Sequence, residues 1–84
     1  MVKDEIWGVS IQRVRAFFRA QADVTAENDD LFWMGSCRVT LTALPPTGSG
    51  IWAAPRTRLQ MEGEEHLVQQ LHHRFFIQFL SAGG

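Results

Sequence analysis

Apolar residues recur along this chain with two different periods, and a cluster of backbone breakers divides them. Over Asp4–Ala22 the residues Trp7, Ile11, Val14, Phe18 and Ala22 follow at steps of four, three, four and four. That spacing lines one face of an α-helix, which Ile6 and Phe17 widen, with Arg13, Arg15 and Arg19 off the stripe. Two assignments fit. The favoured one is a continuous helix started by Asp4, although Gly8 costs its first turns about 1 kcal/mol relative to alanine. The other makes Glu5–Val9 a short strand and Ser10 the cap of a shorter helix. The next stretch, Asp23–Asp30, holds Thr25, Glu27, Asn28, Asp29 and Asp30, which is turn and loop chemistry. Its acids lack the alternating spacing, central glycine and terminal glutamate of a calcium loop, so a solvated loop is expected.

Beyond Leu31 the period changes to two. Cys37, Val39, Leu41 and Ala43 alternate with Arg38, Thr40 and Thr42, and further on Thr57, Leu59 and Met61 alternate with Arg56, Arg58 and Gln60. Both runs read as strands with one apolar face. Pro45-Pro46-Thr47-Gly48-Ser49-Gly50 lies between them. A hairpin centred on Thr47-Gly48 pairs Leu44 with Ile51 and Arg38 with Thr57. Pro55 has no backbone donor, so the second strand is expected to be an edge or bulged there. Gly63 ends that strand. Glu64-Glu65 then suit the positive end of a helix whose stripe is Leu67, Val68, Leu71, Phe75 and Phe79. His72, Phe76 and Leu80 widen the stripe beyond what one sheet face needs, and Gly83-Gly84 ends the helix.

These elements predict a small single α+β domain over residues 1–84, ordered α-β-β-α, with two helices packed on one face of an antiparallel β-hairpin. Val14, Phe18, Val39, Leu41, Leu59, Leu71 and Phe75 occupy the centres of the apolar faces and should form the core. A lone hairpin is marginal in water. Edge-to-edge pairing of two copies, a homodimer, is therefore the expected way to complete the sheet.

The six Phe and three Trp residues offset the poor surface-to-volume ratio of an 84-residue chain. A net charge of −1 provides no overall field to attract nucleic acid or an anionic membrane. One cysteine, Cys37, excludes an internal disulfide framework. The acidic N-terminal residues do not resemble a signal peptide, and no apolar run approaches a membrane-spanning length. A cytoplasmic protein with no membrane partner is the expectation.

Candidate chemistry is sparse. His66 and His73 share a helix face but stand two turns apart, about 10 Å, too far for one metal to bridge. Cys37 lies on the apolar side of a strand, where a thiol behaves as a small hydrophobe. Of the serines Ser10, Ser36, Ser49 and Ser81, none sits in a nucleophile elbow, and Gly48-Ser49-Gly50 lacks the lysine of a phosphate loop. No enzyme activity, metal or cofactor is expected. The outer hairpin face is richer: Arg38, Trp52, Arg56 and Arg58 share a strand parity, and Trp and Arg are the residues that anchor interfaces. The expected function is thus a small non-enzymatic protein-binding module, a regulator, adaptor or inhibitor that occupies a partner's surface. Inhibitors made by mobile genetic elements share its size and lack of motifs, an analogy of size alone. The alternative is a nucleic-acid-binding module that holds phosphates with those arginines and stacks a base on Trp52.

Overall fold

A computed structural model describes residues 1–80, and in it the N-terminal stripe divides into a strand and a helix. Strand β1 is Val2–Trp7 and helix α1 is Ile11–Ala20. Ser10 stands at the N-cap in extended conformation, without a side-chain capping bond. The continuous helix from Asp4 is therefore corrected in favour of the strand-then-helix alternative. The physical reason is that Trp7 reaches the core from the sheet, its ring edge-on to Phe75 at 5.0 Å. Its four-residue step to Ile11 satisfies a helical period without being helical.

After α1 come β2 (Thr25–Asn28), β3 (Leu31–Met34), β4 (Cys37–Thr47), β5 (Ala54–Glu62) and α2 (Glu65–Leu80), with one 3₁₀ turn at Gly50–Trp52 between β4 and β5. All pairings are antiparallel, in the spatial order β1-β5-β4-β3-β2. The expected α-β-β-α order is thus corrected to β-α-β-β-β-β-α. The α+β class holds. Because the chain supplies three further strands, the two-stranded sheet that motivated a homodimer does not occur. The loop expected at Asp23–Asp30 contains β2 instead. Its acids tie sheet to helices: Asp30 to Arg15 at 2.8 Å, Asp29 to Arg19, and Asp23 to both terminal nitrogens of Arg74 at 2.8 Å.

The hairpin register also differs from expectation. Arg38 pairs with Glu62, Leu41 with Leu59 and Leu44 with Arg56. Centring the turn on Thr47-Gly48 opposed an outward residue, Arg38, to an inward one, Thr57. The real register keeps inward against inward, because a one-residue slip would turn every core side chain to water. The ladder shifts between Leu44 and Thr47, where Pro45 and Pro46 stand opposite Pro55 alone, so the expected irregularity lies there.

Both helices cover the inward face. Every predicted core residue is buried, and Val9, Phe32, Met34, Cys37, Met61, Val68 and Phe79 join them. Helix α1 also absorbs much of the aromatic width of α2: Phe17 packs against Phe75 and Phe79, and Phe18 stacks on Phe75. Phe76 lies edge-on to Trp7 yet stays 40% exposed. The helix stop at Gly83-Gly84, and Ser81, lie outside the described residues.

Candidate partner-binding surface

The helices leave two regions uncovered, the outer face of the sheet and the far end of the β4–β5 hairpin. On the outer face the even-numbered positions of β1, β4 and β5 point away from the helices, which places Arg38, Arg56 and Arg58 together on that side as their parity predicted. Arg38 Nη2 donates to Glu62 Oε2 at 2.7 Å, directly across the ladder. Arg58 grips Asp4 with two nearly parallel bonds of 2.9 and 2.6 Å. The bonds from Arg58 hold the Asp4 carboxyl below the usual carboxylate range, and Asp4 in turn raises the Arg58 guanidinium. Each of these two cations is therefore already neutralised. Arg56 has no ion pair or side-chain hydrogen bond among the described residues. Half-buried Trp33 stands opposite Arg38 on the next strand.

Trp52 is elsewhere. It belongs to the 3₁₀ turn, so it shares no strand face with the arginines. Glu62 marks the Arg38 position on β5, and Ala54, where β5 begins, is eight residues away, about 26 Å along the strand. The expected four-residue cluster is thus corrected to a strand-face group and a separate tip. The reason is loop chemistry. Gly48 takes φ of 85°, and a Cβ there would lie 2.5 Å from the Trp52 carbonyl oxygen. With Gly48 allowing that close approach, the backbone folds into a turn closed by Trp52 N–H to Ser49 O and Ala53 N–H to Gly50 O.

The hairpin outruns the body. β4 has eleven residues, about 36 Å of strand, against a longest molecular dimension of 40 Å. Helices cover it only as far as Leu41 and Thr57, and every residue from Pro45 to Pro55 is exposed. Ile51 and Trp52 are 90% and 81% exposed at its end. The sequence pattern pairs Ile51 with Leu44 inside the sheet and of itself gives no sign of its exposure. The available signal was the lack of any ionisable residue over 39–55.

Among the described residues no group of three His, Cys, Asp or Glu is placed to hold a metal. Cys37 is buried, and desolvation raises its thiol pKa. His72 Nε2 lies 2.7 Å from Glu5 Oε1, and Trp7 Nε1 donates to the same oxygen at 3.1 Å. Burial pushes the Glu5 carboxyl up, but these two bonds and the nearby charges of His72 and Lys3 outweigh it and leave it below its ordinary range. An open cavity of about 330 Å³ lies beside this pair, lined by Lys3, Gln69, His72, His73 and Phe76. No helix among the described residues is long and apolar enough to cross a membrane. Compared with known proteins, the chain matches no family model and no curated sequence.

Proposed function

We propose that this chain is a small non-enzymatic protein-binding module, a regulator, adaptor or inhibitor that works by occupying a partner's surface. The observation that carries this reading is the projection of Ile51 and Trp52 from the end of the hairpin, beyond anything they stabilise within the fold. Large apolar side chains held in water lower the free energy only when something covers them, and Trp is the residue most often found to anchor an interface. The principal contact is therefore Trp52, with Ile51 beside it. Among the described residues, Arg56 is the one arginine of the expected set without an ion-pair or side-chain hydrogen-bond partner, and it stands where the arm joins the body. Arg38 and Arg58 play a lesser part.

Nucleic acid is the weaker alternative. Phosphate binding needs cations free to replace counterions, whereas Arg38 and Arg58 are held by Glu62 and Asp4. A homodimer loses its original motive with the five-stranded sheet, although exposed Phe76 and Leu80 on α2 leave apolar surface for one.

Affinity purification from the source cells, followed by titration calorimetry with the purified partner, tests the reading. Trp52→Ala should weaken binding by about 2 kcal/mol or more. Equal affinity for wild type and variant would defeat it. A steep loss of nucleic-acid binding between low and moderate salt would favour the alternative.

A further inference from the structure

Two features of the hairpin arm go beyond what an exposed tryptophan requires. The first is its charge. Residues 39–55 carry no ionisable side chain, and Arg38 and Arg56 bracket the stretch. An ionised group drawn into an uncharged enclosure loses its hydration and is strongly disfavoured there. A segment free of such groups can be surrounded on all sides; one dotted with them can only lie along a wet surface.

The second feature is where the prolines fall. All three in the chain, Pro45, Pro46 and Pro55, sit on the arm. β3 covers the side of β4 only as far as its Leu31–Thr40 pair, and β1 covers β5 only to its Trp7–Thr57 pair. Beyond those points no strand among the described residues pairs with either edge of the arm. An open edge normally invites another strand, but proline offers no N–H to a ladder. Pro45-Pro46 interrupts one edge and Pro55 the other. Strand addition along the arm is blocked, which leaves the side chains at its end as the means of contact.

We infer that the arm from Ala43 to Pro55 is a plug that enters, end-on, an uncharged apolar cleft on the partner protein, with Trp52 and Ile51 against the cleft floor. This rests on the protein-binding reading above and specifies the chemistry of the partner. Proline fixes much of the arm's backbone before contact, so less conformational freedom is lost on insertion. A lipid surface fits less well. Two side chains bury less than a myristoyl chain, whose membrane attachment is already marginal, and the arm has only Arg56 at its base to meet an anionic headgroup.

The test uses the full chain with a photoreactive benzoylphenylalanine in place of Trp52, irradiated in an extract of the source cells. The captured protein is identified, purified and titrated with wild type, Thr47→Glu, Ser49→Glu, Trp52→Ala and Gln70→Glu. Thr47 and Ser49 are exposed, so the glutamate variants should keep the wild-type melting temperature. Enclosure predicts that each glutamate on the arm weakens binding about 30-fold or more, while Gln70→Glu, an exposed site on α2, changes it less than about threefold. Cross-links should fall on uncharged residues of a concave site. If Trp52→Ala weakens binding but both glutamates leave it within about threefold, protein binding stands and the cleft is overturned. If no variant matters, both fall. Vesicles of phosphatidylcholine and phosphatidylglycerol supply the lipid arm of the test. A blue shift of tryptophan emission seen in wild type and missing in Trp52→Phe, or the absence of any cross-linked protein, would overturn the plug.

Discussion

The two ends of the β4–β5 hairpin share an alternating pattern and have opposite fates. Near Cys37–Leu41 and Thr57–Met61 the inward residues are sealed under two helices, whereas Ala43 and everything from Pro45 to Pro55 stand in water. Alternation decides which way a side chain points. Burial is decided by whether another layer reaches that far. Apolar residues at the covered end are accounted for by folding. Those at the free end are not, and this separates a stabilising Leu59 from an exposed Trp52.

The sharpest way to break the comparison is to cut into the covered end. Phe75 is fully buried, with Trp7, Phe17, Phe18 and Phe79 packed around its ring at centroid distances from 4.7 to 5.8 Å. Phe75→Ala should cost about 3–5 kcal/mol in urea unfolding. That is a large fraction of the roughly 5–15 kcal/mol that holds a domain of this kind together. An unchanged midpoint would mean that the helices do not seal this end.

The boundary between the two regions is Thr57. It is the last inward residue of β5 before the arm and the one buried polar side chain among the described residues. Its Oγ1 donates to the Val9 carbonyl at 2.6 Å, fastening the β1–α1 connection to the sheet. Thr57→Val keeps the shape but leaves that carbonyl unsatisfied, so a loss of about 1–3 kcal/mol is expected. Thr57→Ser should restore most of it. If valine is tolerated without loss, the seal does not depend on this bond.

A third contrast is in pH. Asp4, Glu5 and Asp23 all belong to the body rather than to the arm, and all have lowered carboxyl pKa values. Arg58 is the main cause for Asp4 and Arg74 for Asp23; in Glu5 the bonds from His72 and Trp7 overcome an opposing burial. A carboxylate with a lowered folded-state pKa contributes stability above its unfolded value and loses it as pH falls through the folded one. Stability should therefore hold through neutrality and decline below about pH 4, and Glu5→Gln should flatten part of that decline. A wild-type profile that is flat between about pH 5 and pH 3 would contradict the assignment. The arm has nothing that titrates, so it adds nothing to the slope.

Core positions, the outer parity of the arginines and the last helix were legible in the sequence because each depends on local periodicity. The strand β1 was not, since its place beside β5 depends on contacts some fifty residues distant, such as Trp7 with Thr57. β2 is four exposed residues, Thr25–Asn28, with no apolar alternation to notice. β3 alternates over only four residues, with Phe32 and Met34 buried, and then turns at Gly35, whose φ is 59°. Strands that short carry too few periods to stand out from loop. Parity carried through the wide turn puts Trp52 on the strand face. The 3₁₀ turn closed over Gly48 resets that count.

The smallest expected effect is the one that most directly separates the two regions. Trp52→Ala and Ile51→Ala remove large apolar groups, and in the covered end comparable truncations would cost several kcal/mol. At 81% and 90% exposure there is little packing to lose and no cavity to leave. Each variant should therefore unfold within about 0.5 kcal/mol of wild type. Gly48→Ala, one turn away, should cost more, because its Cβ would collide with the Trp52 carbonyl. Chemical unfolding followed by circular dichroism decides between them, since loss of Trp52 alters fluorescence. If Trp52→Ala destabilises as much as a core truncation, the tip is folded back onto the body and is not available to a partner. If it leaves stability intact while abolishing binding, the apolar content of the arm is set by what it contacts.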